Sequence, residues 1–415
     1  MNRAIKILMP TYMKEFRCIG SECEDSCCSD GWDIYIDCAT YHRYMNVKDK
    51  EVRVHIKEHV KIDRASTNKE RYAVIKMKED GDCPFLNEQK LCRIQFSKGA
   101  EYLSNVCAVY PRIINIVDDM YEISAAMSCP EAARLALDNP EPMEFEVEES
   151  NEPVRMVISR INIKDKCNDK HPEYYFWEIR FFTIALLQNR KYRLWERLII
   201  LGLFFKKLQK HIDEGNLCEI PKLINEYTEY LEDDTILEIL SEIPTKNSVQ
   251  MTILLKLVNE RYEKGLKNAR YRELVEEFFK GISYTPDNKD IEIEKIEENY
   301  AFAYHRYYEP FMKNNEYILE NYLVNYVFKN LFPLNNKLSC YTAYAMMILN
   351  YSLIKLHLIG IAGYRKGLSI ETVIQLVQVM AKTVEHNQEY MDAVAQVIKD
   401  NGFNTMTYMA ILIRS

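Results

Sequence analysis

Glycine and proline are scarce in this chain, 12 and 13 among 415 residues. That scarcity excludes a collagen-like, low-complexity or loop-built protein and favours helices joined by short connections. No basic block or stripe is present and the formal net charge is −8, so the electrostatic footprint of a nucleic-acid binder is missing. No G-x-G-x-x-G follows a strand and no P-loop lysine motif occurs, which removes both familiar nucleotide folds. The G-x-S-x-G elbow of serine hydrolases is absent too. The N-terminus, from Met1 to Pro10, lacks the apolar core of a signal peptide. The longest apolar run, Tyr341 to Ile361, is interrupted by Asn350, Lys355 and His357. Such residues are costly in lipid, so the run predicts a buried helix and no membrane insertion. A cytoplasmic location is expected, where disulfides are disfavoured.

Against these absences stands cysteine. Nine of the twelve cysteines fall within the first 129 residues, where an even spread would place about four. Cys18, Cys23, Cys27 and Cys28 lie within eleven residues, spaced by acidic and small polar residues and closed by Gly31-Trp32. Cys83-Pro-Phe-Leu86, Cys92, Cys107 and Ser128-Cys129-Pro130-Glu131 follow. Buried cysteine often serves as a small core residue. Adjacent Cys27 and Cys28 in a loop-like setting favour a metal site instead, because thiolates are soft ligands for zinc and iron–sulfur clusters. Eight thiols exceed the four that one centre requires, so either two sites exist or some thiols are structural neighbours. The spacing matches neither paired C-x₂-C units nor a ferredoxin run.

Along the chain, Ile34 and Ile36 predict a short strand, with Asp37 capping the helix after it. Residues 48–70 read as a solvated helix and loop. Arg71–Lys78 predicts a strand, and Leu91–Ile94 a returning one that would bring Cys83 and Cys92 together. Arg112–Val117 and Met120–Ser124 predict a hairpin, and Ser128 through Glu131 form a capping box that opens a helix to about Asp138. Residues 139–153, with three prolines and six glutamates, read as an exposed acidic connection. Beyond about His171 the pattern is helical: Leu194, Leu198, Leu201, Phe205 and Leu208 share one face, and Ile370, Val373, Val377 and Met380 repeat the spacing behind Ser369. Further helices are expected near 250–264, 268–280, 312–332 and 338–360. The expected fold is mainly α, a small cysteine-rich α+β metal-binding module (1–138), an acidic linker region (139–170) and a large all-helical region (171–415).

These motifs together resemble the bacterial flagellin lysine-N-methylases. The likeness is carried at one end by Pro10-Thr-Tyr12, Phe16-Arg-Cys18, Cys23-Glu-Asp-Ser-Cys27-Cys28, Cys83-Pro-Phe-Leu86, Leu91-Cys92, and Cys107 with Tyr110-Pro111-Arg112. At the other end it rests on Glu320-Asn321-Tyr322, Tyr326, Leu331-Phe-Pro333, Gly360 to Tyr364, and Glu385-His386-Asn387. The resemblance implies methyl transfer from S-adenosylmethionine to surface lysines of flagellin. It also implies an iron–sulfur cluster of the 4Fe-4S type, with zinc as the alternative metal. Expected ligands are Cys23, Cys27, Cys28, Cys83, Cys92 and Cys107, then Cys18 and Cys129; Cys38, Cys167, Cys218 and Cys340 are expected not to ligate. Tyr110, Glu320, Tyr322 and His386 become candidate catalytic residues by the same likeness. No sequence-defined S-adenosylmethionine site is visible, and polar and radical transfer both stay open. The alternative reading is a non-enzymatic zinc- or iron-binding adaptor whose helical region binds a protein partner.

Overall fold

A computed structural model describes residues 4–29, 34–164, 171–233, 240, 247–266, 268–286, 293–334, 338–385, 396 and 405–414. Strand β1 (Ile5–Pro10) turns Ile7 and Met9 to the core and leads into the short helix α1 (Tyr12–Glu15). A lobe of small elements follows: β2 (Ile34–Ile36), α2 (Cys38–Met45), α3 (Lys50–His59), β3 (Val60–Ile62), β4 (Ala73–Ile75), α4 (Arg93–Lys98) and α5 (Asn105–Val109). Asp37 caps α2 as expected, accepting from the Thr40 amide at 2.9 Å. Strand order in this lobe is β2-β4-β3. The strand expected over Arg71–Lys78 is confined to Ala73–Ile75, and β3 was not anticipated, because a three-residue strand with one buried side chain leaves no alternation to read.

The returning strand expected over Leu91–Ile94 is a correction. Only one bridge forms, Leu86 opposite Cys92, and helix α4 starts at Arg93. The Asn87 carboxamide accepts from the amides of Gln89 and Leu91 at 3.0 and 2.8 Å, closing a side-chain-bonded turn that leaves no room for a ladder. Cys83 and Cys92 still come together, through the turn rather than through paired strands.

The chain then builds the hairpin β5 (Arg112–Val117) and β6 (Met120–Ala125), with Asp118 in a left-handed conformation at the bend. Helix α6 (Pro130–Leu137) starts one residue later than the capping box implied, with Cys129 at the N-cap. The acidic stretch after it is not a free connection: β7 (Phe145–Ser150) and β8 (Ser159–Ile161) supply both edges of a five-stranded sheet, order β7-β1-β6-β5-β8. Its glutamates alternate with Phe145 and Val147; Phe145 packs against Phe328, while Glu146 and Glu148 pair with Lys14 at 2.5 and 3.1 Å. Strands β1 and β7 are antiparallel, whereas β1 and β6 run parallel.

The remainder is helical: α7 (Phe176–Leu187), α8 (Leu194–Asp213), α9 (Ile220–Tyr230), α10 (Asn247–Glu263), α11 (Ala269–Gly281), α12 (Ile293–Ala303), α13 (Glu309–Asn315), α14 (Tyr317–Lys329), α15 (Cys340–Arg365), α16 (Ile370–Met380) and α17 (Met406–Ile413). The mainly α fold expected from the sequence is the one observed, and the α8 stripe from Leu194 to Leu208 is fully buried. The helix expected over 312–332 is broken at Glu316 between α13 and α14 and is preceded by a π-helical turn, Tyr304–Tyr308. Helix α15 is long and apolar enough to cross a membrane, but here its apolar stretch is buried within the protein. Two of its polar residues have internal partners: Ser352 and Lys355 donate to the Leu412 and Ile413 carbonyls at 2.9 and 3.0 Å, satisfying the frayed end of α17.

Two cores result. One runs from Met9 through the sheet's inner face to Ile413; the other lies within residues 34–103. The sheet and helices are riveted by buried polar contacts. Arg180 on α7 makes a bidentate pair with Glu122 on β6 at 2.8 and 2.6 Å, and Asn325 on α14 donates to the Ala125 carbonyl at 3.1 Å while accepting from Tyr12 at 2.8 Å.

Candidate metal centre and the polar network behind it

The smaller core is where thiols collect. Cys83 is buried within it, and Cys28, Cys92 and Cys107 pack against it. Each arrives on its own segment: Cys83 donates its amide to the Cys28 carbonyl at 2.8 Å, Cys92 caps α4, and Cys107 lies in α5. Cys27 is exposed as a residue, yet its thiol lies against that of Cys28, and this contact followed by burial raises its pKa. Burial pushes Cys83 up to about 12 and Cys107 up to about 11 and raises Cys92; charge on Cys27 lifts all three further. Opposing this, backbone amides of Ile94 and Gln95 act on Cys92, and the Ser104 hydroxyl acts on Cys107. Tyr44 on α2 is buried against the same group, its phenol raised by burial and then by Cys107, Cys92 and Cys83.

A second group adjoins the first through Cys27. Cys129 caps α6, is pushed up to about 12 by burial, and responds to charge on Cys23 and Cys27. Cys18 is exposed; Arg112 responds to it and to Cys129, which places Cys18 on this second side. Of the expected non-ligands, Cys340 is buried in the helical core and Cys218 is exposed on the turn before α9, while Cys38 begins α2. Cys167, Gly31, Trp32 and His386 lie outside the described residues. Among the described residues no three His, Cys, Asp or Glu side chains are closed onto one point as a metal would hold them. The donor set nevertheless fits a thiophilic metal: several thiols from separate segments share one region, and amide N–H groups directed at sulfur are what tune a thiolate-bound cluster.

Raised thiol pKa values carry a stability consequence. A group whose folded pKa exceeds its unfolded one stabilises fully below the unfolded value, and that contribution is lost as pH climbs towards the folded value. Cys83, Cys107 and Cys129 start from 9.0 and rise to about 12, 11 and 12. The metal-free protein should therefore keep a constant melting temperature near neutrality and lose stability above about pH 9, at most ~1.4 kcal/mol per thiol per pH unit. A thermal-melt series in chelator tests this, and a flat profile from pH 8 to 10 would contradict the burial of these thiols.

Behind the cysteines runs a buried polar chain. Asp25, between Cys23 and Cys27, is 7% exposed. It accepts from Lys382 at 2.5 Å and from Gln378 at 2.8 Å, with Arg270 at 3.7 Å. Gln378 also donates to the Ser128 carbonyl, next to Cys129, at 2.9 Å. Gln378 belongs to α16 and Lys382 to the π-helical turn Ala381–Glu385 that prolongs it, so the end of the helical region grips both cysteine segments. At the last position of that turn Glu385 accepts from the Tyr322 hydroxyl at 2.7 Å and from Lys329 at 2.9 Å.

The catalytic candidates thus separate. Tyr110 lies beside the thiols, its hydroxyl 3.0 Å from that of Ser128, and its pKa is well raised, mainly by burial and further by Cys129, Cys27 and Asp25. Tyr322, also strongly raised by burial and by Glu385, joins Glu385 one turn from Lys382. Both phenols therefore stay protonated near neutrality. Glu320 belongs to another network, gripped by Arg190 at 2.9 Å and Arg197 at 2.6 Å. Asp25 and Glu385 sit inside motifs the sequence displays, Asp25 among the cysteines and Glu385 beside His386. Gln378 and Lys382 carried no signal, being ordinary polar residues on a helical pattern.

Comparison with known proteins completes the picture. Residues 180–412 match the family described as the FliB lysine N-methylase C-terminal domain. Over 393 residues the chain is 22% identical to the lysine-N-methylases of Salmonella choleraesuis (strain SC-B67) and Salmonella typhimurium (strain LT2), covering 93% of this chain and 94% of each relative. It is also 32% identical over 142 residues to the flagellar biosynthetic protein FliU of Salmonella muenchen, covering 34% of this chain and 82% of that protein. No solved structure matches. The matched region contains α14, α16 and the turn that grips the cysteine loop, and the chain belongs to the FliB lysine N-methylase family.

Proposed function

We propose that this protein transfers methyl groups from S-adenosylmethionine to surface lysines of flagellin in the cytoplasm, with an iron–sulfur cluster held by its cysteines. The observation that carries the reading is the convergence of Cys27, Cys83, Cys92 and Cys107 in one region of a chain of the lysine N-methylase family. Those four are the preferred ligands, with Cys23, Cys28 and Cys129 beside them and Cys18 furthest out. When bound, the donor supplies an electrophilic methyl group and the cluster supplies iron able to hold a carboxylate or pass an electron.

The chain's own residues have separate tasks. A lysine amine can accept a methyl group in a polar transfer only after losing its proton, and a carboxylate within hydrogen-bond reach can take that proton. Tyr110 and Tyr322, kept as phenols by burial, act as hydrogen-bond donors rather than bases. Glu385, held by Tyr322 and Lys329, fixes the turn that carries Lys382, with His386 following it in the chain. Holding amine and methyl in line supplies much of the remaining acceleration.

The test is anaerobic purification with iron and acid-labile sulfide analysis, then incubation with flagellin and S-adenosylmethionine and intact-mass measurement. Mass gains in single methylene steps on flagellin lysines, absent without the donor, are expected. A cluster-replete preparation that modifies none of several flagellins would overturn the reading, and colourless zinc protein would move it to the adaptor.

A further inference from the structure

Against α6 lies a cleft of about 410 Å³ bounded by α1, α6 and α14. That is within the size range of ligand sites, roughly 300–1,000 Å³. Its walls mix two characters. Leu135, Ala136 and Met143 make an apolar side, while Glu15, Glu131 and Asp138 line it with carboxylates. The single lining cation, Arg134, is already engaged by Glu131 and by Glu24 at 2.8 Å. Three acids against one committed arginine leave the cleft negative.

Asn321 lines the same cleft and is 1% exposed. Its Nδ2 donates to the Asn139 carbonyl at 2.8 Å, which fixes how the carboxamide is turned. Its Oδ1 then has no hydrogen-bond partner among the described residues. A buried acceptor left unpaired is costly, and a ligand donor would relieve it. Tyr12, also in the lining, cannot be that partner, because its hydroxyl already serves Asn325 and the Ala125 amide.

We infer that this cleft receives the lysine side chain of the protein substrate, apolar wall along the methylene stem, carboxylates around the ammonium and Asn321 Oδ1 accepting one of its hydrogens. The assignment rests on the lysine-methylation reading and adds the place where the acceptor binds. An anionic ligand is repelled by three carboxylates, and a neutral apolar one leaves Oδ1 unpaired. The cleft is tied to the thiol region through α6: Cys129 caps the helix, and Arg134 holds Glu24 beside Cys23.

The probe is Nα-acetyl-lysine-N-methylamide, its binding to the full chain followed by ligand-observed NMR without methyl donor. Saturable binding is expected, with no competition by the norleucine analogue, which lacks the ammonium. Asn321→Leu should weaken binding about tenfold, since it removes the buried acceptor. Glu15→Gln with Asp138→Asn should weaken it about three- to tenfold and flatten its salt dependence. Leu135→Trp, from a half-buried wall position, fills the cleft and should block binding at an unchanged melting temperature, which separates site loss from misfolding. In methylation assays Asn321→Leu should raise KM more than it lowers kcat. Equal binding of the norleucine analogue, or undiminished binding by Leu135→Trp, would overturn the cleft assignment. Lysine binding with these variant effects but no methylation of any protein would leave the cleft standing and defeat the function proposed above.

Discussion

Cys83→Ala and Cys107→Ala are expected to leave the protein without bound metal, without methylation and with a loosened N-terminal lobe. Cys83 belongs to the small core of residues 34–103 and Cys107 packs against it, and the thirteen buried members of that core make it little more than a minidomain's worth of apolar surface. A core that size needs a staple, and structural metal binding is worth about 10–16 kcal/mol in small zinc modules, far more than one buried thiol contributes by packing. Losing one of four ligands forfeits most of that, whereas the packing loss alone is about 1 kcal/mol. The comparison variants are Cys340→Ala, buried in the helical core, and Cys218→Ala, exposed before α9; each should retain full metal. Cys27→Ala and Cys92→Ala should resemble the first pair. Cys129→Ala and Cys23→Ala test whether the adjoining group completes the centre or is a second one, the latter showing as half the metal lost with the lobe still folded. Metal-to-protein ratio and near-ultraviolet circular dichroism are the readouts. Full metal content in all six variants from Cys23, Cys27, Cys83, Cys92, Cys107 and Cys129 would remove the site.

What could be read beforehand follows the range of the physics involved. Helix faces such as Leu194 to Leu208 announce themselves because their spacing is local, and Asp37 announces a helix start because capping acts within four residues. Cysteine density, too, is visible without a fold. Strand β7 was hidden because its glutamates and flanking prolines are those of a solvated connection; only Lys14 and Phe328, remote in the chain, explain why the segment pairs with β1. Glu320 was drawn into the catalytic set by its motif, while the two arginines that occupy it lie more than a hundred residues away. The cleft at Asn321 was equally illegible, since an unpaired oxygen is a property of the packed structure. The deepest omission was Lys382. Nothing in a helical pattern distinguishes a lysine that will be buried against an aspartate 357 positions earlier.

That pair supports the second large effect. Lys382→Met should destabilise the protein by about 3–5 kcal/mol, the cost of leaving a buried charge without its partner. Asp25 would keep Gln378 at 2.8 Å, but Arg270 stands at 3.7 Å and cannot replace a 2.5 Å ammonium contact without moving. The damage should not stop at stability. Asp25 lies two residues from both Cys23 and Cys27, and Lys382 also lowers the cost of charge on Cys27, so its removal loosens the loop and disfavours the thiolate at once. Faster metal release on chelator challenge is therefore expected alongside the lower denaturation midpoint. Asp25→Asn alone should cost a comparable amount, because Lys382 and Gln378 donate to different oxygens, the amide offers only one acceptor in their place, and the buried ammonium loses its counter-charge. The double variant, Asp25→Asn with Lys382→Met, should recover a large part of the Lys382→Met loss, giving a coupling of about 1–3 kcal/mol in the cycle. Additive losses would mean that the two residues act separately and that the helical region does not hold the cysteine loop through them. Recovery of stability without recovery of metal retention would instead place the ammonium's role in the charge of the thiol site itself.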